Sequence, residues 1–310
     1  MFRVQVLGTG SAVPTFYRGL SAQVVTYNDR HYLIDCGEGT QVQIMRCKIK
    51  LHRLDAIFIS HLHGDHVLGL PGLLSSLSME GRETALKLYA PAALKSVLEL
   101  ILQQTHSYLS YPLQFIPTED FAIGSELFAT DALTVRALPL THRIFCRGFR
   151  FEEVNKKPKF DFYKAKALEV PNPYFHLLKQ GNSITLENGE IITPDMVLLP
   201  PDAPHSYCYC SDTAYYEKLI PYIHQTSLLY HEATFTEELK KRAKDTAHST
   251  AKQAATIALK ADVKRLLLGH FSARYTDLTP LWNEARAVFP NTYLAEDTGI
   301  YEIDSDKGWA

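Results

Sequence analysis

His61-Leu62-His63-Gly64-Asp65-His66 stands directly behind Asp55-Ala56-Ile57-Phe58-Ile59-Ser60, a run that reads as a buried β-strand. Three imidazoles and one carboxylate within six residues cannot all be arranged on one side of a regular strand or helix. On a loop they can converge, and Gly64 is expected to permit the tight path. Imidazole nitrogen and carboxylate oxygen at such spacing suit Zn²⁺ or a similar borderline divalent ion. The alternative, four unrelated surface residues, would require a pattern that arises by chance on the order of once per thousand such chains.

Around this loop, short β-rich runs alternate with helical patterns. Gln23–Tyr27 and His31–Cys36, joined by Asn28-Asp29-Arg30, read as a hairpin. Further strands are expected at Phe2–Leu7, Leu86–Tyr89, Leu133–Leu140, Ser206–Cys210, Ser227–Tyr230 and Lys264–Leu268. Helices are expected at Ala92–Gln104, Thr250–Lys260 and Leu281–Val288, the second capped by Ser249 or Thr250. Alternation of this kind predicts sheets covered by helices, an α/β layered fold.

The 310 residues are 46% hydrophobic and 21% charged, the profile of a soluble globular protein, and the net charge of −2 gives no broad attraction to a polyanion. Nucleic-acid binding would have to rest on a local concentration of Lys and Arg. Neither a signal peptide nor a membrane-spanning run is expected. Five scattered cysteines argue for a reducing compartment, with the cytoplasm as default.

From Arg150 to about Leu198 the pattern breaks. The stretch is polar, carries four prolines, and has Lys156, Lys157, Lys159, Lys164 and Lys166 interleaved with Phe160, Phe162 and Tyr163. It reads either as an irregular insertion folded back on the core or as a protruding basic and aromatic arm for nucleic acid.

Two metal ions need more ligands than the loop supplies, and the remaining candidates follow strands. His142, Asp212, His231 and His270 each sit at or just beyond a strand end, where loops open into a cleft.

The sequence resembles the ribonuclease Z (tRNA 3′-processing endonuclease) family of the metallo-β-lactamase superfamily. The resemblance spans nearly the whole chain. It is carried by Leu7-Gly8-Thr9-Gly10-Ser11, Asp35-Cys36-Gly37-Glu38-Gly39-Thr40-Gln41, the His61–His66 loop continuing as Val67-Leu68-Gly69-Leu70-Pro71-Gly72, Ser211-Asp212-Thr213, His231-Glu232-Ala233-Thr234-Phe235, Ala247-His248-Ser249-Thr250 and Gly269-His270-Phe271-Ser272-Ala273-Arg274-Tyr275. It implies an αββα sandwich, a single domain over 1–310 with a substrate-binding arm inserted at about 150–198.

It also implies two Zn²⁺ per chain. One would be held by His61, His63 and His142, the other by Asp65, His66 and His270, with Asp212 bridging and His231 bracing the site without touching metal. The implied reaction removes the 3′ trailer from precursor tRNA, leaving a 3′-hydroxyl and a 5′-phosphate. Asp65 would orient the attacking water and accept its proton, and His248, hydrogen-bonded to Glu232, would protonate the leaving 3′-oxygen. A helix beginning near Ser249 opposes a cation at His248, and a purely capping role for His248 is the alternative. The family further implies a homodimer in which one subunit's arm serves its partner's site. Two places differ from the family: Pro14-Thr15-Phe16-Tyr17-Arg18-Gly19 has Phe16 where Lys is usual and Gly19 where Asn is usual, and the arm has Val170-Pro171-Asn172-Pro173-Tyr174 in place of a glycine- and proline-rich turn. A small-molecule phosphodiesterase or ester hydrolase, and a catalytically silent RNA-binding module, are the competing functions.

Overall fold

The strand Leu54–Phe58 shows why the sequence layers as it does. Its residues alternate faces, so Ala56 and Phe58 join one apolar cluster while Ile57 between them joins another. A strand buried on both sides needs cover on both sides. In the computed structural model, which describes residues 1–304, that cover is a second sheet on one face and helices on the other.

Each of these two large sheets has seven strands. The first runs, edge to edge, Ile300–Glu302, Phe2–Gly8, Ala22–Tyr27, Arg30–Ile34, Leu54–Phe58, Leu86–Ala90 and Leu113–Pro117. The second runs Thr292–Leu294, Leu266–Gly269, Leu228–Glu232, Ser206–Cys210, Arg147–Glu153, Leu133–Pro139 and Glu126–Ala129. Between them lie Phe2, Tyr32 and Phe58 from one side and Phe149, Phe151, Tyr209 and Tyr230 from the other. Phe58 stacks on Tyr89 at 4.9 Å and Tyr209 on Tyr230 at 5.2 Å. Each such ring, fully buried, stabilises the fold by about 1.5–3 kcal/mol. Helices Leu70–Met79 and Leu94–Gln104 cover the first sheet, and Ala251–Lys260 and Thr279–Arg286 the second. The layering is αββα.

The expected hairpin is present, with Tyr27 opposite Arg30 and a two-residue turn at Asn28 and Asp29. Both turn residues have positive φ, 45° and 64°, which matches the right-handed twist of the paired strands. Helix Leu70–Met79 is an addition to the sequence reading. Its Leu-Pro-Gly start looks like a loop, yet Pro is tolerated in a first turn, and Leu70, Leu73, Leu74 and Leu77 make a helical stripe.

The chain divides into two compact units: Met1–Glu152 together with the chain from His205 on, and Glu153–Pro204. The second has its own small core of Ala165, Val170, Leu178, Ile184, Ile192 and Val197. Arg150, counted with the arm in the sequence reading, lies instead in the strand Arg147–Glu153. There Phe149 and Phe151 point inward, and the Arg150 guanidinium bonds Glu152 at 2.6 Å and the Thr226 hydroxyl at 3.0 Å. Among the described residues no helix is long and apolar enough to cross a membrane.

Candidate metal centre

Strand ends deliver the functional side chains. Ser60 and His61 follow Leu54–Phe58, His142 follows Leu133–Pro139, Asp212 follows Ser206–Cys210, and His270 follows Leu266–Gly269. Residues 61–63 form a loop, but Gly64–Val67 is a helical turn that carries Asp65 and His66. Gly64 is not in a left-handed conformation, so the tight path expected of it is corrected. Packing beside the loop does require glycine at Gly37, where a Cβ would overlap the Asp65 carbonyl and Leu20, and at Gly69, where it would overlap the Gly37 carbonyl.

The structure brings together all seven residues expected as ligands. Nδ1 of His63 lies 3.1 Å from Nε2 of His61 and 3.1 Å from Nε2 of His142. Nε2 of His66 lies 3.3 Å from Nε2 of His270, and Asp65 Oδ2 is 3.6 Å from the first and 3.5 Å from the second. Asp212 stands between these groups. Its Oδ2 faces His61 at 3.3 Å and His142 at 3.6 Å, while its Oδ1 faces His66 at 3.2 Å and His270 at 3.0 Å. Facing donor atoms within each group are all within 4.8 Å of one another.

The outer ring nitrogens explain this orientation. His142 Nδ1–H donates to the Ala247 carbonyl at 2.8 Å, which leaves a lone pair on Nε2. His66 Nδ1–H donates to Asp35 at 2.7 Å. The Ser60 hydroxyl donates to the same carboxylate at 2.8 Å and so accepts from His61 Nδ1–H at 3.0 Å. Thr234 repeats the device, donating to Glu232 at 2.6 Å and accepting from His270 Nδ1–H at 3.0 Å. Asp35 and Thr234 were not assigned roles from the sequence, although Asp35 also sits just past a strand end.

Imidazole lone pairs so close repel one another unless positive charge lies between them, and two buried carboxylates call for the same charge. Burial opposes protonation of His270, yet Asp212 and Asp65 outweigh it and push the imidazole up to about 10. His66 is likewise pushed well up against burial by Asp212 and Asp35. Asp212 is held well below the carboxylate range, since His270, His66 and His61 prevail over burial. Burial takes His142 down to about 4, the neutral form that a metal requires. The donor set, nitrogen-rich with two carboxylates and with the outer nitrogens of His61, His66, His142 and His270 anchored, fits divalent zinc-like ions.

Backbone strain collects here as well. Ala12, Asp35, Ala247 and His270 have φ of 65°, 55°, 55° and 57°. Such conformations cost about 1–3 kcal/mol each and persist where surroundings over-determine them. Ala12 N–H donates to Asp65 at 2.7 Å, which ties the first loop to the centre.

His248 stands at the edge, half-buried, its Nδ1 2.8 Å from Glu232. The remaining capacity of Glu232 is filled by the Thr213 and Ser249 N–H groups and the Thr234 hydroxyl. That disqualifies Glu232 as a ligand even though it lies among the donors. Burial disfavours charge on His248, but Glu232 outweighs it and raises the imidazole. The helix Ala251–Lys260 is capped by Thr250, whose side chain accepts from Gln253 N–H, so His248 is not its cap. His231 lies outside the donor groups: along Leu228–Glu232 it alternates with Tyr230 and Glu232, and its Nδ1–H donates to the Glu232 carbonyl at 2.8 Å.

Within Glu153–Pro204, Lys156 pairs with Glu153 at 2.7 Å and Lys159 with Asp202 at 2.7 Å. Lys157, Lys164 and Lys166 are exposed, as is Tyr163, whereas Phe160 and Phe175 pack into the unit's own core. In the first loop Phe16 is 94% exposed and contacts Tyr17 edge to face at 5.1 Å. Asp297 holds that loop at both ends, accepting from Thr9 N–H at 3.0 Å and Gly19 N–H at 2.6 Å.

Two sheets back to back between helices, with a His/Asp cluster at the strand ends, define a protein of the metallo-β-lactamase fold. The crystal structure of human tRNase Z, short form, matches with a TM-score of 0.69 at 28% identity, covering 98% of this chain and 100% of that one. The metallo-β-lactamase fold protein YhfI from Bacillus subtilis matches with a TM-score of 0.68 at 20% identity, over 97% and 99%, a likeness of fold. A family model described as "Anti-Pycsar protein Apyc1" matches residues 2–119. Ribonuclease Z of Parabacteroides distasonis is 45% identical over 301 residues, 96% of this chain and 97% of that protein. The chain belongs to the ribonuclease Z family.

Proposed function

We propose that this chain is a zinc-dependent endoribonuclease that removes the 3′ trailer from precursor tRNA, leaving a 3′-hydroxyl on the tRNA and a 5′-phosphate on the trailer. The observation that carries the reading is Asp212, whose two oxygens address two separate histidine groups, with the His248–Glu232 pair beside them. His61, His63 and His142 would hold one ion and Asp65, His66 and His270 the other, with Asp212 available to both. Zinc at these positions supplies Lewis acidity toward water and toward the phosphoryl oxygens.

The chain's own groups do the rest. A cavity of about 410 Å³ lined by His63, Asp65, His142, Asp212, His248 and His270 admits the phosphodiester. Asp65, fixed by the Ala12 N–H, orients the attacking water and takes up its proton. His248 is held through Nδ1 by Glu232, which leaves Nε2 to give a proton to the departing 3′-oxygen. The exposed Lys157, Lys164 and Lys166, with Lys156 and Lys159, contact tRNA away from the cut, a grip that weakens with salt. The enzyme acts in the cytoplasm as a homodimer, each arm serving its partner's site.

Incubation of the zinc-loaded protein with a precursor tRNA and end-mapping of the products tests the reaction. A 3′-phosphate on the tRNA product, or no cleavage beside active hydrolysis of bis(p-nitrophenyl) phosphate, refutes it. Sedimentation as a monomer at micromolar concentration refutes the dimer.

A further inference from the structure

A second cavity of about 370 Å³ also reaches His248, and none of the metal-facing histidines lines it. It shares Ser11, Ala12, Arg143 and His248 with the cavity over the metal centre. Its wall carries three arginines, Arg143, Arg242 and Arg274, and no carboxylate. Arg143 Nε donates to the Thr246 carbonyl at 3.2 Å, and Arg274 Nε to the Ser272 hydroxyl at 2.9 Å with its guanidinium 5.1 Å from the Phe235 ring centre. Among the described residues none of the three forms an ion pair. Three guanidinium groups around one cavity whose wall holds no acid, in a chain of net charge −2, are a local concentration of positive charge at the margin of a reaction centre. Guanidinium forks match the oxygens of a phosphate.

We propose that this arginine cavity is a phosphate subsite for RNA, and that it holds the phosphodiester immediately preceding the scissile one. The assignment of side rests on the reading of the chain as a precursor-tRNA endonuclease with His248 as acid. His248 lines both cavities and protonates the 3′-oxygen of the last retained nucleotide, which directs that nucleotide and its own 5′-phosphate toward the arginines. The trailer leaves in the other direction. Arg143, Arg242 and Arg274 act here as binding residues and touch no reacting atom.

The test measures binding of fluorescein-labelled hexauridylate by anisotropy across a salt series, for the zinc-loaded wild type, Arg242→Ala/Arg274→Ala, and Arg30→Ala as a control in the distant hairpin. The double variant should bind roughly 10-fold more weakly, and its slope of log K against log salt should be shallower by about 1.4, at about 0.7 per lost single-strand phosphate contact. Arg30→Ala should leave the slope unchanged. An unchanged slope in the double variant, or an equal change in the control, overturns the subsite. Arg242→Ala alone, with an expected loss of about 0.7, decides the matter if the Arg274 change disturbs folding. Position is tested with precursor tRNA carrying a neutral methylphosphonate before the cleaved bond. The wild type should lose about 10-fold in kcat/KM and the double variant nothing further, since the partners are already separated. Independent, multiplied losses overturn the assignment of side. A wild type that binds hexauridylate with the expected slope but cleaves no precursor tRNA refutes the endonuclease reading and leaves the subsite standing.

Discussion

Replacing Asp35 by Asn should loosen both histidine groups at once, although Asp35 is not among the expected ligands. The carboxylate is fully buried and accepts from Ser60 N–H at 2.7 Å, the Ser60 hydroxyl at 2.8 Å, His66 Nδ1–H at 2.7 Å and the Tyr209 hydroxyl at 2.7 Å. Three of these converge on Oδ2. In the amide, one oxygen can still serve Ser60 N–H, but an NH₂ group then faces three hydrogens. The two hydroxyls can rotate away, whereas His66 Nδ1–H cannot. One unsatisfied buried donor costs about 1–3 kcal/mol, and a lost charge-assisted bond adds about 1.5–3 kcal/mol. The variant should therefore lose roughly 3 kcal/mol in urea unfolding with chelator present. Because the Ser60 relay also orients His61, zinc affinity should fall about 10- to 100-fold, read by competition with a chromophoric chelator. Wild-type zinc affinity together with an unshifted urea midpoint would refute the reasoning.

Other perturbations separate the remaining roles. His248→Ala should lower kcat for precursor tRNA by about 10²- to 10⁴-fold while zinc content, measured by mass spectrometry, stays at the wild-type level. Loss of zinc would make His248 a ligand instead. Asp65→Ala should reduce both zinc loading and turnover, and an active variant would contradict its placement. Replacing 154–204 by a short turn keeps Glu152 opposite Ser206 in the sheet. It should leave hydrolysis of bis(p-nitrophenyl) phosphate within about twofold and raise KM for precursor tRNA by at least about 10-fold, the counterion-release contribution being lost. Burial, with Arg53 and Arg3 nearby, lowers His31 to about 4. The unfolded chain, with a pKa of about 6.5, thus binds a proton that the native state refuses. Stability should fall as pH drops through that window, and His31→Gln should flatten the dependence of urea midpoint on pH relative to wild type.

The expected arm shows where composition misleads. A polar stretch with prolines reads as starting at Arg150, but Arg147–Glu153 alternates buried Phe149 and Phe151 with Arg150 and Glu152, and the sheet claims it. Phe160, read as part of an aromatic surface, is needed with Phe175 to fill the core of a unit of only about fifty residues. Two of its lysines pair with acids inside the unit, a balance invisible in a count of charges. Strand ends were more legible. A run of β-branched and aliphatic residues fixes where a strand stops, and a His or Asp one or two positions later is therefore placed near a common edge.

The metal loop was determined by sequence alone because its ligands lie within six residues, a separation over which covalent geometry limits where the atoms can go. What tertiary structure decided are the contacts that give each ligand its direction. His66 meets Asp35 from 31 residues away, His142 meets Ala247 across 105, and His66 meets His270 across 204. No local pattern carries such pairings. They exist because two sheets, packed through Phe58, Phe149 and Tyr209, bring distant strand ends to one edge, where buried polar groups must find partners.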